Sequence, residues 1–283
     1  MSKIVSFDPG DNITLNYSWP LMHGLVFASH LADGGSGNAT PVRGSLDVFT
    51  SKGLVSGLIH ASASPFGRAR NRTDINSNFV WDTYERYAVG TGDFTVAVFA
   101  KFNAGAGSSL NVFSNGSGVN QWRLMPHYNG AGYAANNATF WTYDGAITQA
   151  TATAAFDTGV ASWLIGVRRG TTLQLWRNNV LLNETVGTAR NVTGATSGAL
   201  QLGNGTANSQ GLHGPALMWR RALTAAEIGQ LTSEPTPYDF MSSPVNLEFD
   251  TSSGPPPAPP STSFIHNGIY GRKGLLDRKI SRQ

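Results

Sequence analysis

Between residues 172 and 177 side chains fall alternately on two faces, with a period of two. In Thr172-Leu-Gln-Leu-Trp-Arg177, Leu173, Leu175 and Arg177 fall on one face, and Gln174 and Trp176 on the other. That is the pattern of a strand in a two-layer β protein. Arg169-Gly170 and Asn178-Asn179 are turn dipeptides, because Gly and Asn accept positive φ at low cost. The pattern predicts a strand hairpin over residues 162–182. Leu200-Gln-Leu-Gly203 predicts a short strand, and residues 214–219 a last one. Then the period changes. Thr224-Ala-Ala-Glu227 is a capping box: Thr224 accepts from the N3 amide and Glu227 reaches back to the cap amide. Leu223 and Ile228 form the hydrophobic staple around it, and Ile228 and Leu231 share one helix face. The predicted helix covers residues 225–232. A catalytic-acid reading of Glu227 competes with the cap, and the cap is the simpler account.

This order resembles the C-terminal half of laminin-G-like, concanavalin-A-type jelly rolls. The residues that carry the likeness are 163–182, Leu200–Gly203 and 214–231, with Arg221-Ala-Leu-Thr-Ala-Ala-Glu-Ile228 the closest match. Upstream, residues 24–33 look like the family's opening strand and residues 92–102 like the strand that starts its second sheet. The likeness spans residues 20–234. It implies an all-β fold: a two-sheet antiparallel jelly-roll sandwich with one short C-terminal helix, here followed by an extended C-terminal arm. The family covers sugar binding, protein docking and virion adhesion, so the resemblance bears on fold more than on task.

The domain boundaries follow from composition. Residues 1–19 read as an N-terminal arm, 20–234 as the jelly roll and 235–263 as a Pro-rich linker. Its run Gly254-Pro-Pro-Pro-Ala-Pro-Pro260 suits polyproline II. Residues 264–283 read as a docking arm. This arm carries Arg272, Lys273, Arg278, Lys279 and Arg282 against Asp277 alone, five minus one or +4, so against a net charge of +3 the remainder of the chain is about neutral. It also carries Phe264, Ile269, Tyr270, Leu275 and Leu276, more apolar surface than a nucleic-acid tail usually has. A docked arm is therefore expected, with a solvated tail and a nucleic-acid arm as the other readings. Only 13% of residues are charged and 33 are Gly, which suits a turn-rich β protein. The absence of Cys excludes disulfides and thiolate metal sites. No apolar run approaches a membrane span and no secretory h-region opens the chain, so neither a membrane partner nor export by a signal is expected.

The chemistry of hydrolases that share this sandwich needs paired carboxylates, typically Glu-x-Asp-x-x-Glu on one strand. None of Glu85, Glu184, Glu227, Glu234 and Glu248 lies in such a pattern, and Asp82-Thr-Tyr-Glu85 has a spacing that does not share a strand face. The six His lack metal-pair spacing, and Ser114-Asn-Gly-Ser117 lacks a nucleophile elbow. The expectation is no enzyme and no cofactor. Ca²⁺ bound by Asp33, Asp93 and Asp144 is the alternative, and turn roles explain those residues more simply. Aromatic rings stand among Asn and Gly in residues 127–133 and 137–143. Tyr128, Tyr133, Trp141 and Tyr143 are the candidate glycan-binding residues, because sugar sites pair ring faces with amides. Sheet packing is the competing account. Trp122, Trp163, Trp176 and Trp219 read as core. Proteins resembling this one are familiar on tailed phages. The combined reading is a non-enzymatic, adhesive virion surface protein, on capsid or tail, with the jelly roll outward. Its expected partners are other virion proteins, further copies of itself, and host or environmental glycans. A free lectin-like module and a glycan-active enzyme are the alternatives.

Overall fold

The computed structural model describes residues 14–15, 20–29, 41–43, 58–64, 67–72, 79–81, 87–102, 112–116, 118–128, 137–155, 159–193, 200–202, 211–233 and 241–242. The chain divides into the units Met1–Pro244 and Val245–Gln283, and every described residue lies in the first.

The strands, in chain order, are β1 (Thr14–Leu15), β2 (Leu25–Ser29), β3 (Pro41–Arg43), β4 (Leu58–Ser64), β5 (Gly67–Arg72), β6 (Phe79–Trp81), β7 (Phe94–Phe102), β8 (Phe113–Ser114) and β9 (Gln121–Tyr128). They continue with β10 (Asn137–Tyr143), β11 (Ile147–Ala155), β12 (Ser162–Arg169), β13 (Thr172–Arg177), β14 (Val180–Val186), β15 (Leu200–Leu202), β16 (Gly211–Trp219) and β17 (Met241–Ser242). Helix α1 covers Ala225–Ser233, one residue longer than its pattern predicts.

Among the described residues two large sheets form, and their pairings are antiparallel. The six-stranded sheet runs β11-β10-β9-β8-β15-β6. The nine-stranded sheet runs β14-β13-β12-β7-β16-β2-β3, with β5 on β16 and β4 on β5. This is the jelly-roll sandwich that the sequence implies. A separate pair joins β1, in the segment read as an N-terminal arm, to β17, in the segment read as linker.

One expectation is corrected. Residues 92–102 do not start the second sheet. Strand β7 lies in the same sheet as the opening strand β2, with only β16 between them. The reason is its composition, Phe-Thr-Val-Ala-Val-Phe-Ala-Lys-Phe, which is apolar on both faces. Val96, Val98 and Ala100 pack between the sheets, and Ala97 and Phe99 pack on the outside, where α1 covers them. Such a strand belongs at a sheet's centre.

Two apolar clusters result. The inner one lies between the sheets and includes Phe27, Phe94, Phe113, Trp122, Phe140, Leu173 and Leu175. The outer one lies over the nine-stranded sheet and includes Trp163, Trp176, Trp219, Leu223, Ile228 and Leu231. The alternation read from residues 172–177 is thus real: Leu173 and Leu175 face inward while Trp176 faces the helix side. The turns also hold, with φ of +56° at Gly170 and +53° at Asn178. The staple and capping box form as expected. The Thr224 amide donates to Glu227 Oε2 at 2.8 Å and the Glu227 amide to Thr224 Oγ1 at 3.3 Å.

Arg168 is the one buried charge at the end of β12 among the described residues. Its guanidinium lies 4.7 Å from the centroid of Phe94 and donates to the carbonyls of Gly90, Gly92 and Arg190. Burial pulls its pKa down to about 10, and Asp93 partly offsets that. It ties the 90–93 turn to the strand beside it.

Candidate functional site

The nine-stranded sheet has both faces occupied, one by the opposite sheet and the other by α1 and residues 21–22. The outer face of the six-stranded sheet has no such helix among the described residues. Its composition also differs. On β10, Ala138 and Phe140 point into the inner cluster, so Thr139, Trp141 and Tyr143 point outward. On β9, Trp122 and Leu124 point in, and Gln121, Arg123 and Met125 point out. On β11, Ala150 and Ala152 point in, and Ile147, Gln149 and Thr151 point out.

Register brings these side chains together. Trp141 sits between Arg123 and Gln149, and Tyr143 between Gln121 and Ile147. The Arg123 guanidinium lies 5.1 Å from the Trp141 ring centroid, a cation–π contact. Tyr143 meets Trp141 edge to face, with centroids 6.0 Å apart. Arg123 Nε donates to Gln121 Oε1 at 3.0 Å, and Gln121 Nε2 donates to the Gly118 carbonyl. Thr139 and Thr151 exchange a hydroxyl bond at 3.0 Å. Trp141 is only 7% exposed, yet its Nε1 has no partner. Tyr143, Arg123 and Gln149 are half-buried, and Ile147 and Val119 stand exposed at the Tyr143 end of the face.

Of the four residues proposed from sequence, the structure brings Trp141 and Tyr143 together. Tyr128 ends β9 opposite Asn137, but its side chain lies outside the described residues, as does all of Tyr133. The docking-arm residues Phe264, Ile269, Tyr270, Arg272, Lys273, Leu275, Leu276, Arg278 and Lys279 also lie outside them. So does Asp33. Asp93 and Asp144 hold turns: Asp93 Oδ1 accepts from the Gly170 amide at 2.7 Å, and Asp144 pairs with Arg190 at 3.4 Å while accepting from the Asn191 amide. Among the described residues no three His, Asp or Glu converge on a possible metal position. Glu184 accepts from Gln174 Nε2 at 2.5 Å, and Glu227 caps α1.

Sequence reasoning missed Gln121, Arg123 and Gln149. The signal was present in Gln121-Trp-Arg-Leu-Met125, where polar and apolar residues alternate, but which strand they meet is set by long-range pairing.

A family model described as the concanavalin A-like lectin/glucanases superfamily matches residues 80–229, more than half of the chain. No curated protein matches the chain in sequence. Among solved structures, domain 4 of AbnA, an extracellular arabinanase from Geobacillus stearothermophilus, seen with arabinotriose, matches at TM-score 0.60 and 14% identity, covering 74% of this chain and 100% of that one. The binding domain of Paraclostridial Mosquitocidal Protein 1 matches at TM-score 0.57 and 13% identity, covering 74% and 52%. The binding domain of Botulinum neurotoxin DC, seen with rat synaptotagmin II, matches at TM-score 0.54 and 9% identity, covering 75% and 52%. The chain thus spans about half the length of the two toxin domains. At these identities the likeness is one of fold.

Proposed function

The chain belongs to the concanavalin A-like lectin/glucanases superfamily, and from that premise we propose that it is a carbohydrate-recognition module whose site is the outer face of the six-stranded sheet. The observation that carries this reading is Trp141. It points away from the core, packs against Arg123 and Tyr143, and keeps a buried indole N–H without a partner. A sugar ring offers an apolar face to an aromatic ring and hydroxyls to amides and guanidinium groups. Tyr143, Gln121, Arg123 and Gln149 supply those groups around Trp141. The neighbouring folds support recognition over turnover, since they are named as toxin binding domains and as an arabinanase domain seen with arabinotriose. The reading needs neither a catalytic carboxylate pair nor a metal.

The setting we propose is the surface of a tailed-phage particle. The sequence supports it through a cysteine-free chain and a Pro-rich spacer before a basic, apolar arm. Capsid or tail proteins, or further copies of the chain, are the arm's partners in this reading.

The test is a glycan array followed by titration of the glycans retained. Tyr143→Ala, at a half-buried position, is expected to weaken binding at least fivefold with melting unchanged. Trp141→Ala is expected to abolish it. Wild-type binding by both variants would sink the assignment of this face.

A further inference from the structure

Beside Tyr143 a segment of chain joins the two sheets at their rim. Residues 187–192 leave β14, an edge of the nine-stranded sheet, and pass the turn between β10 and β11 of the other. Close approach there needs Gly187, since an added Cβ would come within 2.5 Å of Thr148 Cγ2. Thr148 Oγ1 donates to the Thr188 carbonyl at 3.2 Å and accepts from Arg190 Nε at 3.1 Å. Asp144 accepts from Arg190 Nη1 at 3.4 Å and from the Asn191 amide at 3.1 Å. Val192 then enters the inner cluster, where its amide donates to the Gly90 carbonyl at 2.9 Å.

Arg168 holds this strap from the other side. Its Nη1 donates to the Arg190 carbonyl at 2.6 Å, its Nη2 to the Gly90 carbonyl at 2.7 Å and its Nε to the Gly92 carbonyl at 2.8 Å. Arg190 is therefore gripped at both ends. Its carbonyl is held by the nine-stranded sheet, and its guanidinium by Asp144 and Thr148 at the edge of the six-stranded one. Burying a guanidinium is costly, and an apolar side chain over Phe94 would fill the space at lower cost. The planar fork does what an apolar group cannot: it fixes three carbonyls from two segments at once.

Given the carbohydrate reading above, we infer that Arg168 is a positioning residue for the recognition face, acting through the 187–192 strap on Tyr143. Asp144 follows Tyr143 directly, and the strap holds its carboxylate through Arg190 and Asn191. Tyr143 is the last residue of β10, so the placement of this turn sets how its ring meets Trp141, 6.0 Å away. Without the Arg168 fork the Arg190 carbonyl loses its donor. The strap then loosens, and Asp144 and the ring before it gain freedom.

The experiment uses the full chain and reads amide exchange by NMR and glycan affinity by titration. Arg168→Met keeps most of the bulk and removes the donors. It is expected to speed exchange at the Asn191 and Val192 amides about tenfold, whereas Asp144→Ala speeds it at Asn191 alone. Each substitution is expected to weaken binding of a glycan retained on the array about three- to tenfold. In the Tyr143→Ala background neither is expected to add a further loss, because both act through that ring. A loss of fold alone would lower binding in both backgrounds alike. Unchanged Asn191 exchange in Arg168→Met, or a full further loss in the Tyr143→Ala background, would overturn the positioning role while leaving the carbohydrate reading intact. If Arg168→Met does not fold, Asp144→Ala, at a half-buried rim position, carries the same comparison. A wild-type chain that retains no array glycan would sink the carbohydrate reading and the role at Tyr143 with it, and the exchange rates alone would then decide the strap.

Discussion

The Glu227 carboxylate meets the Arg221 guanidinium at 2.7 Å, accepts from the Thr224 amide at 2.8 Å and from the Thr224 hydroxyl at 3.0 Å. The Arg221 bond is the main reason its pKa falls to about 2, with the Thr224 bonds adding and partial burial opposing. Arg221 in turn donates to the His23 carbonyl at 2.6 Å, so the cap also anchors the turn that precedes β2. The folded pKa lies below the ordinary value of 4.5, so this stabilisation is present above that pH and is lost as pH falls toward 2. Glu227→Gln is therefore expected to melt lower than wild type at pH 7, with the difference vanishing between pH 4.5 and 2. Because the group is partly solvated, the neutral-pH difference is expected to stay below about 1 kcal/mol. Thermal melts of both chains across that range check it. A difference that persists undiminished at pH 2 would mean that the carboxylate's charge is not what stabilises the cap.

The element scale separates what local pattern encodes from what pairing decides. Residues 172–177 and 224–228 announce a strand and a capped helix because each depends on side chains a few positions apart. Strand β10 does not announce its faces, since Asn137-Ala-Thr-Phe-Trp-Thr-Tyr143 is buried on both sides along most of its length. Which of Phe140 and Trp141 points inward is settled by a residue on another sheet. Phe140 packs over Gly166 of β12, where an added Cβ would come within 2.5 Å of the Phe140 ring. The absent side chain lets that ring sit between the sheets. The pairing that sets Arg123, Trp141 and Gln149 side by side is equally illegible, because they come from three strands and a one-residue slip would invert any of them. Gly166→Ala is expected to destabilise by about 1–3 kcal/mol through overpacking. Adding Phe140→Leu should recover part of that loss, whereas additive losses in chemical denaturation would show that the two positions do not compete for space.

For the whole chain, one face of the sandwich carries the helix, the other carries the aromatic and polar row, and β1 with β17 pairs residues near both ends of the first unit. The strands of the six-stranded sheet, whose outer face is the proposed recognition face, all lie before residue 156, apart from β15. The proposed linker role of Gly254-Pro-Pro-Pro-Ala-Pro-Pro260 rests on its composition, since proline runs in general favour polyproline II and add little to a core. A chain ended after Ser253 keeps β17 and both faces. It is expected to melt and bind glycan as the full chain does. The proposed docking role belongs to the removed segment, where apolar side chains and four to five positive charges suit an acidic surface with apolar pockets. On phage particles assembled with either form, mass spectrometry of the purified particle should find the full chain and not the shortened one. Replacing Arg272, Lys273, Arg278 and Lys279 by Ser should lower the amount incorporated, and added salt should lower it for the wild type as well. Incorporation of the shortened chain at wild-type level would move the attachment surface from the arm to the sandwich itself, and the recognition face would then have to be sought apart from it.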